Sequence, residues 1–234
     1  MSKHLAIFFT SWWVIFGLCA QTQKVKNQPY VDQRWYHFGF SVGLHSQDLL
    51  INNTGYRGEN GEVWFCEIPS YAAGFSVSLI SDMYLNPYMN LRFTPTMHFG
   101  DKNFTFREEA SGAIFKAPIR SNYLTLPLTV KFGSLRINNY RPFLLGGVYG
   151  AWDVGRQKDQ ATLMKALDYG LEFGFGCDFY LPIIKVCPEI KFCFGLANWI
   201  EQNRSDLRNK ELMKYTQAIS GGTSRMVVIS ISFE

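Results

Sequence analysis

Residues 168–179 read "DYGLEFGFGCDF". Tyr169, Leu171, Phe173, Phe175, Cys177 and Phe179 alternate there with Gly170, Glu172, Gly174, Gly176 and Asp178. Successive side chains of a β-strand leave on opposite faces, so the stretch is a strand with one apolar, aromatic face and one small or acidic face. A half-buried strand of a soluble sandwich has the same pattern. Recurrence, strand length and the placing of charge decide between the two.

The pattern recurs. Residues 37–45, "HFGFSVGLH", set Phe38, Phe40, Val42 and Leu44 against His37, Gly39, Ser41, Gly43 and His45. Phe75, Val77, Leu79 and Met83 stand against Ser76, Ser78 and Asp82. After the turn signal Asn86-Pro87, Met89, Leu91, Phe93, Met97 and Phe99 stand against Asn90, Arg92, Thr94, Thr96 and His98. In residues 123–132 Leu124, Leu126, Leu128, Val130 and Phe132 oppose Thr125, Thr129 and Lys131, with Pro127 expected to cost a ladder bond and bring strain or a bulge. Residues 142–152 are apolar on both faces, which leaves open whether this strand meets lipid or a partner. Val186, Ile190, Phe192 and Phe194 oppose Cys187, Glu189, Lys191 and Cys193, and Val227, Ile229, Ile231 and Phe233 close the series against Met226, Val228, Ser230 and Ser232.

These make about eight strands of roughly 9–11 residues, the length a tilted transmembrane strand needs; strands of soluble sheets average about 5–6. Connections alternate between short (near residues 86–87, 133–140 and 181–185) and long and polar (46–73, 100–122, 153–167 and 197–223). The expected fold is therefore all-β, an eight-stranded antiparallel up-and-down transmembrane β-barrel of the outer-membrane type. Its termini would be periplasmic, its long loops extracellular, and its edges closed because unpaired backbone cannot face lipid. A mean hydropathy of -0.07 does not oppose this, since alternation averages apolar against polar.

Residues 1–20 have the layout of a secretory signal peptide: Lys3, an apolar run from Leu5 to Leu18, then Cys19-Ala20, the run being shorter than the roughly 20 residues of a spanning helix. Residues 21–34 form a short polar segment expected to hang in the periplasm, and residues 35–234 the barrel domain. The net charge of +4 carries no Lys/Arg-rich block, so no nucleic-acid partner is expected. Cys66, Cys177, Cys187 and Cys193 have no zinc-ligand spacing and are expected to be free thiols.

Eight strands enclose an interior that side chains fill, which argues against a diffusion pore. Arg92, Lys131, Glu172, Asp178, Glu189 and Lys191 all fall on inward faces, so a structural lumen charge cluster is expected, its members paired because buried charge must be. Two chemical readings are weak. His45, Ser46 and Asp48 lie close in sequence, as a surface lipid hydrolase would place them, and His98 and Asp101 could join His45 around a metal, yet no nucleophile or ligand motif accompanies either set. No catalytic, metal or cofactor-binding residue is assigned, and no cofactor or small-molecule substrate is expected. Tyr56, Trp64, Phe65 and Tyr71 in one long loop, and the helix-prone residues 198–219, are expected to fold over the barrel mouth or meet partners.

Five stretches carry a resemblance: "YVDQRWYHFGFSVGLHSQDL" (30–49), "LNPYMNLRFTPTMHFGD" (85–101), "YLTLPLTVKF" with "NNYRPFLLGGVYG", "GCDFYLPIIKVCPEIKFCFGL" (176–196) and "YTQAISGGTSRMVVISISFE" (215–234). In this order and spacing the chain resembles the PorT (SprT) family, outer-membrane proteins of the type IX secretion and gliding system of Bacteroidota. The resemblance implies a non-enzymatic barrel that works with other type IX components, in export of proteins carrying a C-terminal sorting domain, such as secreted proteases or adhesins. It carries no catalytic residue over to this chain.

Overall fold

The computed structural model describes residues 25–58, 61–67, 72–155, 165–198, 200–201 and 212–234; the expected signal peptide, residues 1–20, lies outside them. Ten strands form one antiparallel sheet: β1 (Tyr36–Asn53), β2 (Trp64–Glu67), β3 (Ala72–Asn86), β4 (Met89–Phe93), β5 (Thr96–Glu108), β6 (Ile114–Gly133), β7 (Tyr140–Asp153), β8 (Leu167–Tyr180), β9 (Lys185–Gly195) and β10 (Ile219–Phe233). The sheet closes on itself because β1 pairs with β3 on one side and β10 on the other. β4 and β5 are two halves of one barrel strand, and β2 is a short addition beside the upper part of β5. The closed ring thus has eight positions: β1, β3, β4 with β5, β6, β7, β8, β9 and β10.

Alternation sets the two faces. On β1, Phe38, Phe40, Val42 and Leu44 are exposed on the outer wall, while His37, Ser41 and His45 are buried within. Trp35 and Tyr36 at one rim and Trp152 and Tyr169 at the other are exposed, as amphipathic rings at both edges of a lipid-facing band would be. At the seam, Phe40 and Phe233 stack with centroids 5.2 Å apart.

Pro127 sits in β6 without a bulge. Pairing runs in unbroken register from Met89↔Phe132 to Arg107↔Ile114. Thr94 N–H still donates to the Pro127 carbonyl (3.2 Å), but Pro127 has no hydrogen to return, and Pro95 likewise has none to give. The Thr96 hydroxyl donates to the Thr94 carbonyl instead (2.9 Å), so a side chain replaces the missing ladder bond and the interruption between β4 and β5 stays local.

The expected loops at residues 46–73 and 100–122 prove to be largely strand. β1 continues to Asn53, and β5 and β6 pair as far as Arg107↔Ile114, so that β6, with 20 residues, is about twice the length a membrane crossing requires. The reason is a change of phase. Outer residues Met97 and Phe99 are apolar low on β5, whereas higher up the inner residues Phe104 and Phe106 are apolar and fully buried. A strand whose apolar face turns inward has left lipid and packs on a core of its own.

Residues 25–34, expected to hang free, pack across the turn end of the barrel. Asn27 donates from its backbone to Asn139 Oδ1 (2.9 Å) and from its side chain to the Tyr180 carbonyl (2.9 Å), and Arg136 Nη1 donates to the Gln28 carbonyl (3.2 Å).

Inward glycines set how closely strands approach. A Cβ on Gly147 would lie 2.2 Å from the Leu128 carbonyl oxygen and 2.6 Å from Thr129 Cα, both backbone atoms. Gly147→Ala is therefore expected to part β6 from β7 and lower stability by about 1–3 kcal/mol, the usual cost of overpacking, as read from urea unfolding in detergent.

Candidate functional site

The inner faces converge on a buried charge network. Arg92 on β4 donates from Nε and Nη2 to Asp82 Oδ2 on β3 (3.0 and 2.9 Å), from Nη1 to Glu189 Oε2 on β9 (3.3 Å), and from Nη2 to Glu234 Oε1 (2.6 Å). β4 and β9 are four places apart in a ring of eight, so the Arg92–Glu189 contact spans the full width of the lumen. Asn90 Nδ2 donates to the other Asp82 oxygen (2.7 Å), and Ser230 and Ser232 donate to Glu189 Oε1 (3.1 and 3.4 Å).

Lys131 on β6 donates to both Asp178 oxygens on β8, each at 2.7 Å. Lys191 pairs with Glu189 (3.2 Å) and Glu172 (3.6 Å). All six residues of the expected lumen cluster are buried within these contacts. Sequence reading placed Asp82 on the inner face without joining it to the cluster, and missed Lys185 and Glu234, which pair with each other at the turn end. Their signal was alternation carried one step further, since Lys185, which opens β9, shares the face of Cys187 and Glu189, and Glu234, which follows β10, shares the face of Ser230 and Ser232. Four cations (Arg92, Lys131, Lys185, Lys191) thus face five carboxylates (Asp82, Glu172, Asp178, Glu189, Glu234).

β7 resolves its two apolar faces here. Leu144, Val148 and Trp152 are exposed outside, while Phe143, Leu145, Tyr149 and Ala151 point in and are buried. The Lys131 ammonium lies 4.1 Å from the Phe143 ring centroid and the Arg92 guanidinium 5.8 Å. The inner apolar face thus serves as the ring wall of the charge network, where cations gain from the π-face.

Above the network the lumen changes character. Leu49, Trp64, Cys66, Phe104, Phe106, Ile200, Tyr215 and Ile219 form an apolar core closing the loop end. Phe115 and Tyr215 stack at 4.3 Å, bringing the helical turn Met213–Gln217 against β6. Burial, aided by the charge of Glu67, pushes the Cys66 thiol up to about 12, so it remains protonated within this core. The side-chain amide of Asn53 accepts from Cys66 N–H (2.9 Å) and donates to its carbonyl (3.2 Å), covering the free edge of β2. A void between inner residues including Tyr149 and Ser224 holds about 20 Å³ and one beside His98 and Glu172 about 10 Å³, each about one water in size.

The two chemical readings fare differently. His45 and Ser46 are consecutive in β1, and alternation sends them to opposite faces of the wall, with Asp48 on the side of Ser46. They cannot meet as base and nucleophile. His45 and His98 do come together, rings edge to face at 4.9 Å, with His98 Nε2 3.1 Å from the Thr125 hydroxyl. The Asp101 side chain lies outside the described residues, and among those described no three His, Cys, Asp or Glu side chains are grouped to hold a metal ion.

A family model described as "Outer membrane protein beta-barrel domain" matches residues 19–201. Comparison with curated proteins returns no match. Among solved structures the chain is similar to the outer membrane protein OprG from Pseudomonas aeruginosa, with 10% identity over 84% of this chain and 94% of that one and a TM-score of 0.49. It is also similar to Neisserial surface protein A, with 11% identity over 85% and 98% and a TM-score of 0.44. A third is Ail, the attachment invasion locus protein of Yersinia pestis, with 13% identity over 84% and 96% and a TM-score of 0.35.

Proposed function

The chain belongs to the family of outer-membrane proteins with a beta-barrel domain, and from that premise we propose that it is a non-enzymatic accessory component of the type IX secretion system. In this role it supports export or surface assembly of proteins with a C-terminal sorting domain. The observation that carries an accessory role is the filled lumen. Among the described residues, paired charges, inward aromatics and an apolar core fill the lumen and leave no passage for cargo or solute, so the protein acts through its surfaces. The secretion system itself rests on the resemblance of five ordered stretches to the PorT family. In this reading the turn end faces the periplasm, the core of the loop end stands outside the cell, and other type IX components are its partners.

A second reading, a general small barrel or adhesin, draws on the β2–β5–β6 sheet, which continues in antiparallel pairing at the loop end and offers a platform there. Deletion of the gene in the native host, with a complementation control, separates the two. Sorting-domain cargo is expected to accumulate in the periplasm while other outer-membrane proteins stay at normal levels. Undisturbed export would overturn the secretion reading and leave the second.

A further inference from the structure

The turn end holds an open cleft of about 400 Å³ between residues 25–34 and the turns after β3 and β6. Its lining carries three cations, Lys26, Arg136 and Arg141, against one carboxylate, Asp32. Pro29, Pro87, Leu135 and Tyr84 supply apolar wall.

Arg141 is the telling residue. Its side chain is only 7% exposed. Of the five N–H donors of a guanidinium, Nε donates to the Ser134 carbonyl (2.9 Å) and one Nη2 hydrogen to the Pro87 carbonyl (2.9 Å). Nη1 stands 3.8 Å from Asp32 Oδ1, beyond hydrogen-bonding distance. Three donor hydrogens of this cation, at the wall of the cleft, meet no hydrogen-bond acceptor among the described residues.

Arg136 differs. It stacks 3.7 Å above the centroid of the Tyr180 ring and spends its donors on Gln28, Asn27, Asn138 and Asn139, which holds one side of the cleft in place. Its Nη1 also stands 3.8 Å from Asp32. Asp32 therefore lies between two guanidinium groups without closing on either, and its oxygen is taken by the Tyr180 hydroxyl (2.5 Å).

We propose that this cleft binds an acidic extended segment of a protein partner on the turn side of the membrane, with a carboxylate of that segment completing Arg141. A carboxylate offers two acceptors in the plane of the guanidinium, the pairing this fork makes best. Lys26 adds a second cation at the mouth, and the proline, leucine and tyrosine walls take an apolar neighbour of the acidic residue. A strand that has two prolines and a tyrosine beside it docks by side chains, since prolines give no backbone donor. The inference deepens the proposed function by giving the accessory barrel a surface for its partners.

The test uses the purified chain in detergent micelles and a fluorescein-labelled octapeptide alternating leucine and aspartate, read by fluorescence anisotropy. The aspartate peptide is expected to bind about tenfold or more tightly than its asparagine counterpart, the worth of one charge-assisted pair, and to weaken as salt is raised. Arg141→Lys, which keeps charge but loses the fork, is expected to weaken binding about tenfold. Asp32→Asn removes the competing carboxylate while still accepting from Tyr180, so it is expected to tighten binding severalfold; a purely structural Asp32 would give no gain. Equal binding of the two peptides, or no gain in Asp32→Asn, would overturn the proposal. Displacement of the peptide by an equal concentration of inorganic phosphate would overturn the peptide assignment in favour of a small-anion site. Because binding is read on the isolated protein, its failure leaves the secretion reading standing, and normal export in the deletion strain leaves the cleft standing.

Discussion

Arg92→Met is expected to destabilise the barrel by about 3–5 kcal/mol, the usual cost of taking one partner from a buried ion pair. Methionine keeps most of the volume, so the effect isolates charge. Asp82, Glu189 and Glu234 would remain in the lumen, each having lost its contact with the guanidinium. Of the three, Glu234 keeps Lys185 and Glu189 keeps Lys191, whereas Asp82 keeps the Asn90 amide and no cation bonded to it among the described residues. Asp82→Asn on top of Arg92→Met should therefore restore part of the loss, and Arg92→Lys should fall between, since one ammonium cannot reproduce the fork that joins three carboxylates. Urea midpoints of the detergent-folded protein, with the loss of its heat-modifiable mobility on gels as a second probe, read the series. A midpoint unmoved by Arg92→Met would mean that the three carboxylates are satisfied without it.

Phe106→Ala is expected to cost about 3–5 kcal/mol as well, but in a different place. The ring is fully buried in the loop-end core, 5.0 Å from Tyr215 and 6.4 Å from Phe115. Loosening that core releases the helical turn at Met213–Gln217 and β2, while the lipid-facing ring below keeps its backbone ladder and its ion pairs. Limited proteolysis should then cut at the loop end at a much higher rate, with the membrane-embedded fragment still resistant. Equal sensitivity of variant and parent would show that the core does not hold the loops. Phe104→Ala, also fully buried, should behave alike.

The contrast between the two variants follows what was legible in the sequence. Period-two alternation names the lipid face where the two faces differ in polarity, because lipid accepts apolar atoms, and the rule holds from Phe38 to Leu44 and from Tyr169 to Phe179. The same rule draws Arg92, Lys131, Glu172, Asp178, Glu189 and Lys191 inward. It does not say which of them touch, since partners across a lumen are set by shear and tilt, quantities that no single strand carries. It also hides the upper half of the hairpin β5–β6. Phe104, Phe106, Phe115 and Ala117 keep a period of two, but with the apolar phase reversed relative to Met97 and Phe99, so a reading anchored on the outer face sees the pattern end and a loop begin. The residue type of β7 misleads in the opposite way: Phe143 and Leu145 look lipid-bound by composition, although their neighbours are Lys131, Arg92 and Cys187.

Mechanically, the Arg92–Glu189 contact makes the barrel a braced tube. An eight-stranded cylinder with an empty interior would flatten under lateral pressure by sliding its staggered strands, at little cost to any one ladder bond. Here opposite walls are joined through a guanidinium that also grips the neighbouring β3 and the residue after β10. To change its cross-section the cylinder must pull apart buried opposite charges, and the low-dielectric interior that makes them costly to expose singly makes that separation stiff. A partner pulling on the turn end would thus move the whole cylinder as a piston, with its circular outline kept.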